Sequence, residues 1–167
     1  LMFSSCKELY PITKTAEGYT FEIDENQNAT LIKTDILAET IEIPSEISSY
    51  KVKKLSCVEE AALVGVSLTG VFEGNNVVKE IIRPEGVVET YGPAIANCYN
   101  LEKITIPGTM TTFDVVRCDN LKEVNIVDGD TITESFSFSD CSGLEEIYLP
   151  KQINKISTNA FARCYSL

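Results

Sequence analysis

Apolar residues return along this chain at a nearly fixed interval. Val78, Leu101, Leu121, Leu144 and Leu167 are separated by 23, 20, 23 and 23 residues, and Leu55 stands another 23 before Val78. The same unit surrounds each. Cys141, Leu144, Ile147, Leu149 and Pro150 fall where Cys98, Leu101, Ile104, Ile106 and Pro107 do, and Cys118, Leu121, Val124 and Ile126 match them. Phe161, Cys164 and Leu167 open a further copy, and Phe72, Asn75, Val78, Ile81 and Pro84 form an earlier one with Asn in the Cys place. One such unit cannot bury its own apolar residues, so the copies must stack into a solenoid.

The unit can be read residue by residue. In Leu-x-x-Ile-x-Ile the last two apolar residues alternate with one outward position, which predicts a short strand with one buried face. Pro107 and Pro150 end that strand because proline cannot donate to a sheet ladder. A second apolar pair follows at spacing three, Met110 with Phe113 or Ile153 with Ile156, and Ala160 and Phe161 close the unit before the next Cys. Stacked copies align their strands in parallel. The expected fold class is therefore α/β, strongly β-dominated: a solenoid with a parallel sheet of short strands.

The pattern Phe-x-x-Cys-x-x-Leu-x-x-Ile-x-Ile-Pro resembles the leucine-rich repeats of BspA-like surface proteins. The resemblance runs over residues 72–167, is best from Phe138 to Leu167 and is loosest over residues 55–71. The unit at Leu121 departs from it, with Val127 in the proline place and Asp128, Gly129 and Asp130 after it, so a reshaped turn is expected there. The unit before it is three residues short, with Asp114 to Arg117 in place of the Ala-Phe region.

Residues 18–33 read differently. Tyr19, Phe21 and Ile23 alternate with polar residues, Asp24 to Asn28 are turn formers, and Leu31 and Ile32 resume, which predicts a β-hairpin. The following Ile41-x-Ile43-Pro44 completes what is similar to the entry module of this family. Such a module caps the exposed end of the sheet. The expected organisation is an N-terminal segment and linker over residues 1–17, a β-hairpin capping module over 18–55, and repeats over 56–167 that stop within a copy at Leu167.

Two readings of the start stand side by side. Phe3, Cys6 and Leu9 fit the repeat motif, as the tail of a preceding copy. Cys6 also follows small residues and a short apolar run, as at the end of a bacterial lipoprotein signal, where it would carry lipid and tether the chain to a membrane.

Composition removes several functions. The chain has 14 Lys and Arg against 25 Asp and Glu, a net charge of -11, and no basic cluster, so nucleic acid is not an expected partner. Anionic lipid headgroups are disfavoured for the same reason. No apolar run approaches the ~18 residues that span a bilayer. There is no histidine, which excludes His-based triads, an imidazole general base and His-ligated zinc.

The remaining candidate features each have a structural explanation. Cys98, Cys118, Cys141 and Cys164 share one repeat position with Asn75, as expected of a small residue that fills the turn and bonds backbone. Asp24, Asn26, Asn28 and Asp35 have the spacing of a calcium loop, but Ala29 stands where such a loop needs glycine, so a hairpin turn is expected. Asn28, Ala29 and Thr30 form a glycosylation sequon on that turn. No metal or cofactor is implied.

The outward strand positions carry the functional expectation. Stacking aligns Glu80, Lys103, Glu123 and Glu146 in one column and Ile82, Thr105, Asn125 and Tyr148 in a second. Solenoids use such faces for binding. The resemblance implies a non-enzymatic, cell-surface or secreted module that adheres to host proteins, to other cells or to glycans, with a membrane involved only through a lipid on Cys6. The alternative is a spacer that holds another domain away from the cell surface.

Overall fold

The computed structural model describes residues 10–62, 65–129 and 134–167, without the side chains of residues 59–68. Among them are fifteen strands and no helix, so the helical share of the expected α/β class is absent from the described residues and the solenoid is built of strands and turns. In chain order these are β1 (Ile12–Ala16), β2 (Tyr19–Ile23), β3 (Asn28–Thr34), β4 (Thr40–Glu42), β5 (Glu46–Ile47) and β6 (Tyr50–Ser56). Then come β7 (Val58–Ala62), β8 (Gly65–Thr69), β9 (Glu80–Ile82), β10 (Glu89–Tyr91) and β11 (Ile95–Ala96). The last four are β12 (Lys103–Ile106), β13 (Thr112–Val116), β14 (Glu123–Ile126) and β15 (Ser135–Ser137).

Two sheets carry the solenoid. The front sheet has the order β14-β12-β9-β4 and is parallel throughout. Its strands are the Leu-x-x-Ile-x-Ile segments. Alternation turns Ile41, Ile81, Ile104 and Val124 inward, where they are buried. The back sheet runs β1-β2-β3-β6-β10-β13, with β15 and β11 also on β13. Its inward residues include Leu55, Thr90, Phe113 and Phe136. Between the sheets lies one continuous apolar core, and each fully buried phenylalanine in it adds roughly 1.5–3 kcal/mol through removal from water.

The hairpin of β2 and β3 forms as its alternation predicts, with Tyr19, Phe21 and Ile23 buried. Asp24 holds its turn, accepting backbone hydrogen bonds from Asn26 and Asn28 at 2.9 Å each. Those bonds occupy the carboxylate that the calcium-loop spacing would have offered. Two expectations are corrected here. Residues 10–17, read as a linker, contribute β1, which pairs antiparallel with β2 from Ile12↔Ile23 to Ala16↔Tyr19. Its exposed polar positions Thr13, Lys14 and Thr15 hid it from a reading based on alternating apolar residues. Asn28 is not on an exposed turn: it begins β3, is half-buried and donates its side-chain amide to Asp24 at 3.2 Å.

β3 then pairs in parallel with β6, which joins the hairpin to the back sheet of the solenoid. The region of loosest resemblance holds β7 and β8, an antiparallel hairpin that forms its own two-stranded sheet.

The turns differ in length at particular places. The short turn dispenses with the Gly92-Pro93-Ala94 detour. There β13 runs straight on to pair with β11 at Ile95↔Val115, so Val115 takes the slot that Phe138 and Phe161 fill later. The next turn regains its residues after β14, where Gly129 passes directly over Gly108. A Cβ on Gly108 would lie 2.7 Å from the Gly129 Cα, so this crossing admits no side chain. These changes lie outside the front strands, and the front register is unbroken from β4 to β14.

Candidate functional site

The repeated cysteine position is structural. The thiols of Cys98, Cys141 and Cys164 donate to the carbonyls of Phe72 (3.4 Å), Val115 (3.8 Å) and Phe138 (3.0 Å), each in the preceding turn. Asn75 does the same work with an amide. It donates to the Ile36 carbonyl at 2.9 Å and accepts from the amides of Val77 and Val78. Burial pushes the thiols of Cys141 and Cys164 above the ordinary range, and the neighbouring Cys98 thiol together with burial does so for Cys118. Raised, buried thiols are poor nucleophiles. Cys6 lies outside the described residues.

The front sheet presents its other face outward. Lys103 stands in register with Glu80 on one side and Glu123 on the other. Thr105 likewise stands between Ile82 and Asn125. The two columns read from the repeat thus align across three strands. The structure extends them by one strand that the sequence reading left out. β4 pairs with β9, which places Thr40 beside Glu80 and Glu42 beside Ile82. The signal was in the sequence, since Ile41-x-Ile43-Pro44 repeats the strand motif.

At the other end the expectation needs correcting. Residues 145–150 form no strand, so Glu146 and Tyr148 are not hydrogen-bonded into the sheet beside Glu123 and Asn125. They stand across an open groove of about 260 Å³, lined by Lys122, Glu123, Val124, Glu146 and Tyr148. Tyr148 is 74% exposed, and its hydroxyl donates to Glu146 at 3.2 Å.

Electrostatics divides the face. Lys103 Nζ sits 3.0 Å from Glu123 Oε1 and 3.7 Å from Glu80 Oε1, and these carboxylates hold its proton more firmly than usual. The first column therefore satisfies much of its own charge. The second column, Glu42, Ile82, Thr105 and Asn125, has mixed chemistry, and the exposed Tyr148 ring lies beyond it.

Arg83 was not singled out by the sequence reading. It occupies the second inward position of β9's repeat, where Ile43 and Ile106 stand in neighbouring turns, and it is buried. No nitrogen of its guanidinium has a hydrogen-bond partner among the described residues. Burial lowers its pKa to about 9, opposed by the charge of Asp114.

Stacked Leu-x-x-Ile-x-Ile strands with a buried Cys/Asn turn position define a leucine-rich-repeat solenoid. A profile for the BspA type leucine rich repeat region, in six copies, matches residues 67–167. This covers more than half of the chain, and the chain belongs to that family.

Solved structures share the fold. A Treponema pallidum leucine-rich-repeat protein (TpLRR) is 18% identical with a TM-score of 0.71, over 92% of this chain and 68% of its own. A leucine-rich-repeat protein from Bacteroides capillosus is 20% identical with a TM-score of 0.53, over 89% and 94%. The pneumococcal vaccine antigen PcpA is 13% identical with a TM-score of 0.53, over 92% of this chain and 48% of its own. No curated protein matches the chain.

Proposed function

We propose that this chain is a non-catalytic interaction module of a cell-surface or secreted bacterial protein, and that its front sheet holds a protein or glycan partner. The observation that carries the reading is the uncovered outward face of a four-stranded parallel sheet with side chains of mixed chemistry in register. Family membership supports the surface location, because the resemblance is to BspA-like surface proteins. The absence of histidine from the sequence supports a role without hydrolytic chemistry. Exposed aromatic residues such as Tyr148 are of the kind that anchor interfaces.

The test is a binding screen against host matrix proteins and glycans. It compares the wild-type chain with a triple variant carrying Glu123→Lys, Glu146→Lys and Tyr148→Ala. Binding by the wild type that falls at least tenfold in a folded triple variant is the expected result. Equal binding by both proteins removes the Glu123 end of the front face from the reading.

The alternative is a spacer without a ligand of its own, and the Glu80, Lys103 and Glu123 column, whose one lysine bridges both carboxylates, favours it. A wild-type chain that binds nothing on the panel decides for the spacer.

A further inference from the structure

The charges that flank each front strand alternate in sign from turn to turn. Backbone hydrogen bonds link Glu39 to Lys79, Lys79 to Glu102 and Glu102 to Lys122, a ladder that runs negative, positive, negative, positive. The neighbouring column runs Glu80, Lys103, Glu123, in the opposite phase. The signs are used: Lys79 Nζ lies 2.8 Å from Glu39 Oε1, and Lys103 bridges Glu80 and Glu123. Opposite charges directly across strands stabilise the pairing, and like charges oppose it.

The alternation fails at the fifth turn. Continuing it requires an acid after Lys122 and a base after Glu123. The chain supplies Glu145 and then Glu146. Glu146 therefore belongs opposite another carboxylate, and at this point the sheet ends. β14 is its terminal strand, and residues 145–150 stand off across the groove lined by Glu123, Val124, Glu146 and Tyr148. The Phe-x-x-Cys side of the same turn stays closed. Phe138 donates its amide to the Ala160 carbonyl at 2.7 Å, and Phe136 and Phe161 meet edge to face at 5.7 Å. The opening runs from the front strand position to Ile156, which is 52% exposed, and its front part faces the place of the missing positive charge.

The geometry points to the outer edge of β14 as the docking site of an extended protein segment that sets a lysine or arginine between Glu123 and Glu146. The chain contains the template. β12 places Lys103 between two carboxylates, follows it with inward Ile104 and Ile106, and pairs with its neighbours on both sides. A partner strand of the pattern basic, apolar, polar, apolar added to β14 repeats that arrangement: main-chain hydrogen bonds to the open edge, apolar residues over the core, and the basic group between the carboxylates. Tyr148 offers its exposed ring to the stem of the basic side chain. Lys122, on the groove's rim, sits in the adjoining column, where an acid N-terminal to the partner's basic residue completes the ladder.

This deepens the reading of the front sheet as a binding face and rests on it. The probe is a fluorescently labelled peptide of residues 101–107 (Leu-Glu-Lys-Ile-Thr-Ile-Pro), titrated by anisotropy with the full chain. Saturable binding that weakens with added salt is expected. The same peptide with Lys103→Glu loses at least tenfold in affinity. Glu146→Lys in the protein supplies the missing charge from within. It closes residues 146–149 onto β14, raises amide protection there and abolishes peptide binding. Glu25→Lys, the same charge change on the distant hairpin turn, leaves binding within twofold of wild type.

Equal binding of both peptides, or undiminished binding to Glu146→Lys, overturns the proposal, as does a wild-type chain that does not bind the first peptide. If such a chain still binds a panel ligand that a Thr105→Lys, Asn125→Lys variant loses, the edge proposal falls and the front-face reading stands.

Discussion

Arg83 is the residue at which the repeat pattern and the chemistry part. The slot calls for an apolar side chain, and the neighbouring turns supply Ile43 and Ile106, both fully buried. Arginine there leaves a guanidinium without hydrogen-bond partners among the described residues, eased only by the charge of Asp114. In the same turn Thr90 stands where the neighbouring turns have Leu55 and Phe113. Replacing a buried charge by an apolar residue of similar volume is often neutral or stabilising by ~1–4 kcal/mol. Arg83→Met is accordingly expected to raise the urea midpoint; a lowered midpoint with an unchanged slope would mean the charge is satisfied in solution.

The thiols give the second residue-scale prediction. Cys118, Cys141 and Cys164 have folded pKa values above those of free thiols, and burial pushes Tyr19 up to about 12. The unfolded chain releases thiol protons from about pH 8.5 and the Tyr19 proton from about pH 10, while the folded chain keeps them. Between these values the folded state binds more protons, so its stability is present in full below pH 8.5 and falls as pH rises beyond it. Urea titrations at pH 7.5 and 10.5 check this, and a midpoint that does not drop at the higher pH contradicts it.

Among elements, the crossing of the turns after β12 and β14 is the tightest contact. A methyl group on Gly129 meets the Gly108 backbone, which cannot move without shifting a strand. Gly129→Ala is expected to cost ~1–3 kcal/mol, the usual range for forcing an extra group into a packed site. Thermal melts compare it with Gly74→Ala, where nothing lies within 4 Å but the backbone φ is +72°. Equal losses in the two variants would assign the cost to backbone conformation and not to contact.

The front strands were legible because Leu-x-x-Ile-x-Ile couples a period of two to a fixed repeat, and both signals survive variation at single positions. β1 was illegible because its identity comes from its partner: Thr13, Lys14 and Thr15 face solvent, and only pairing with β2 makes them a strand. The failure at residues 145–150 has a different origin. Glu146, Ile147 and Tyr148 carry the strand pattern, but pairing needs a packed turn behind it, and the Ile156 of this turn is half exposed. Motif spacing located both columns; it did not show that the last turn forms no strand at its front or its back.

For the whole molecule, stability accumulates turn by turn, because each turn touches only those beside it. The inner turns have neighbours on both sides, and Ile104, Ile106, Met110 and Phe113 are sealed. Their counterparts in the last turn are more open, with Ile156 at 52% exposure. Native-state hydrogen exchange should therefore show the amides of β9 and β12 as the slowest and those of residues 145–156 among the fastest. Uniform protection across these segments would mean that the front is closed in solution.

The fixed front register beside variable turn length has a further consequence. A turn shortened by three residues leaves the outward columns of its neighbours where they were. Whole units of either length can therefore be duplicated, deleted or traded between related genes without moving the side chains that a neighbouring unit displays. Selection on the exposed pattern can then act through recombination of intact blocks as readily as through single substitutions, and the length of an array becomes a heritable variable separate from its surface chemistry.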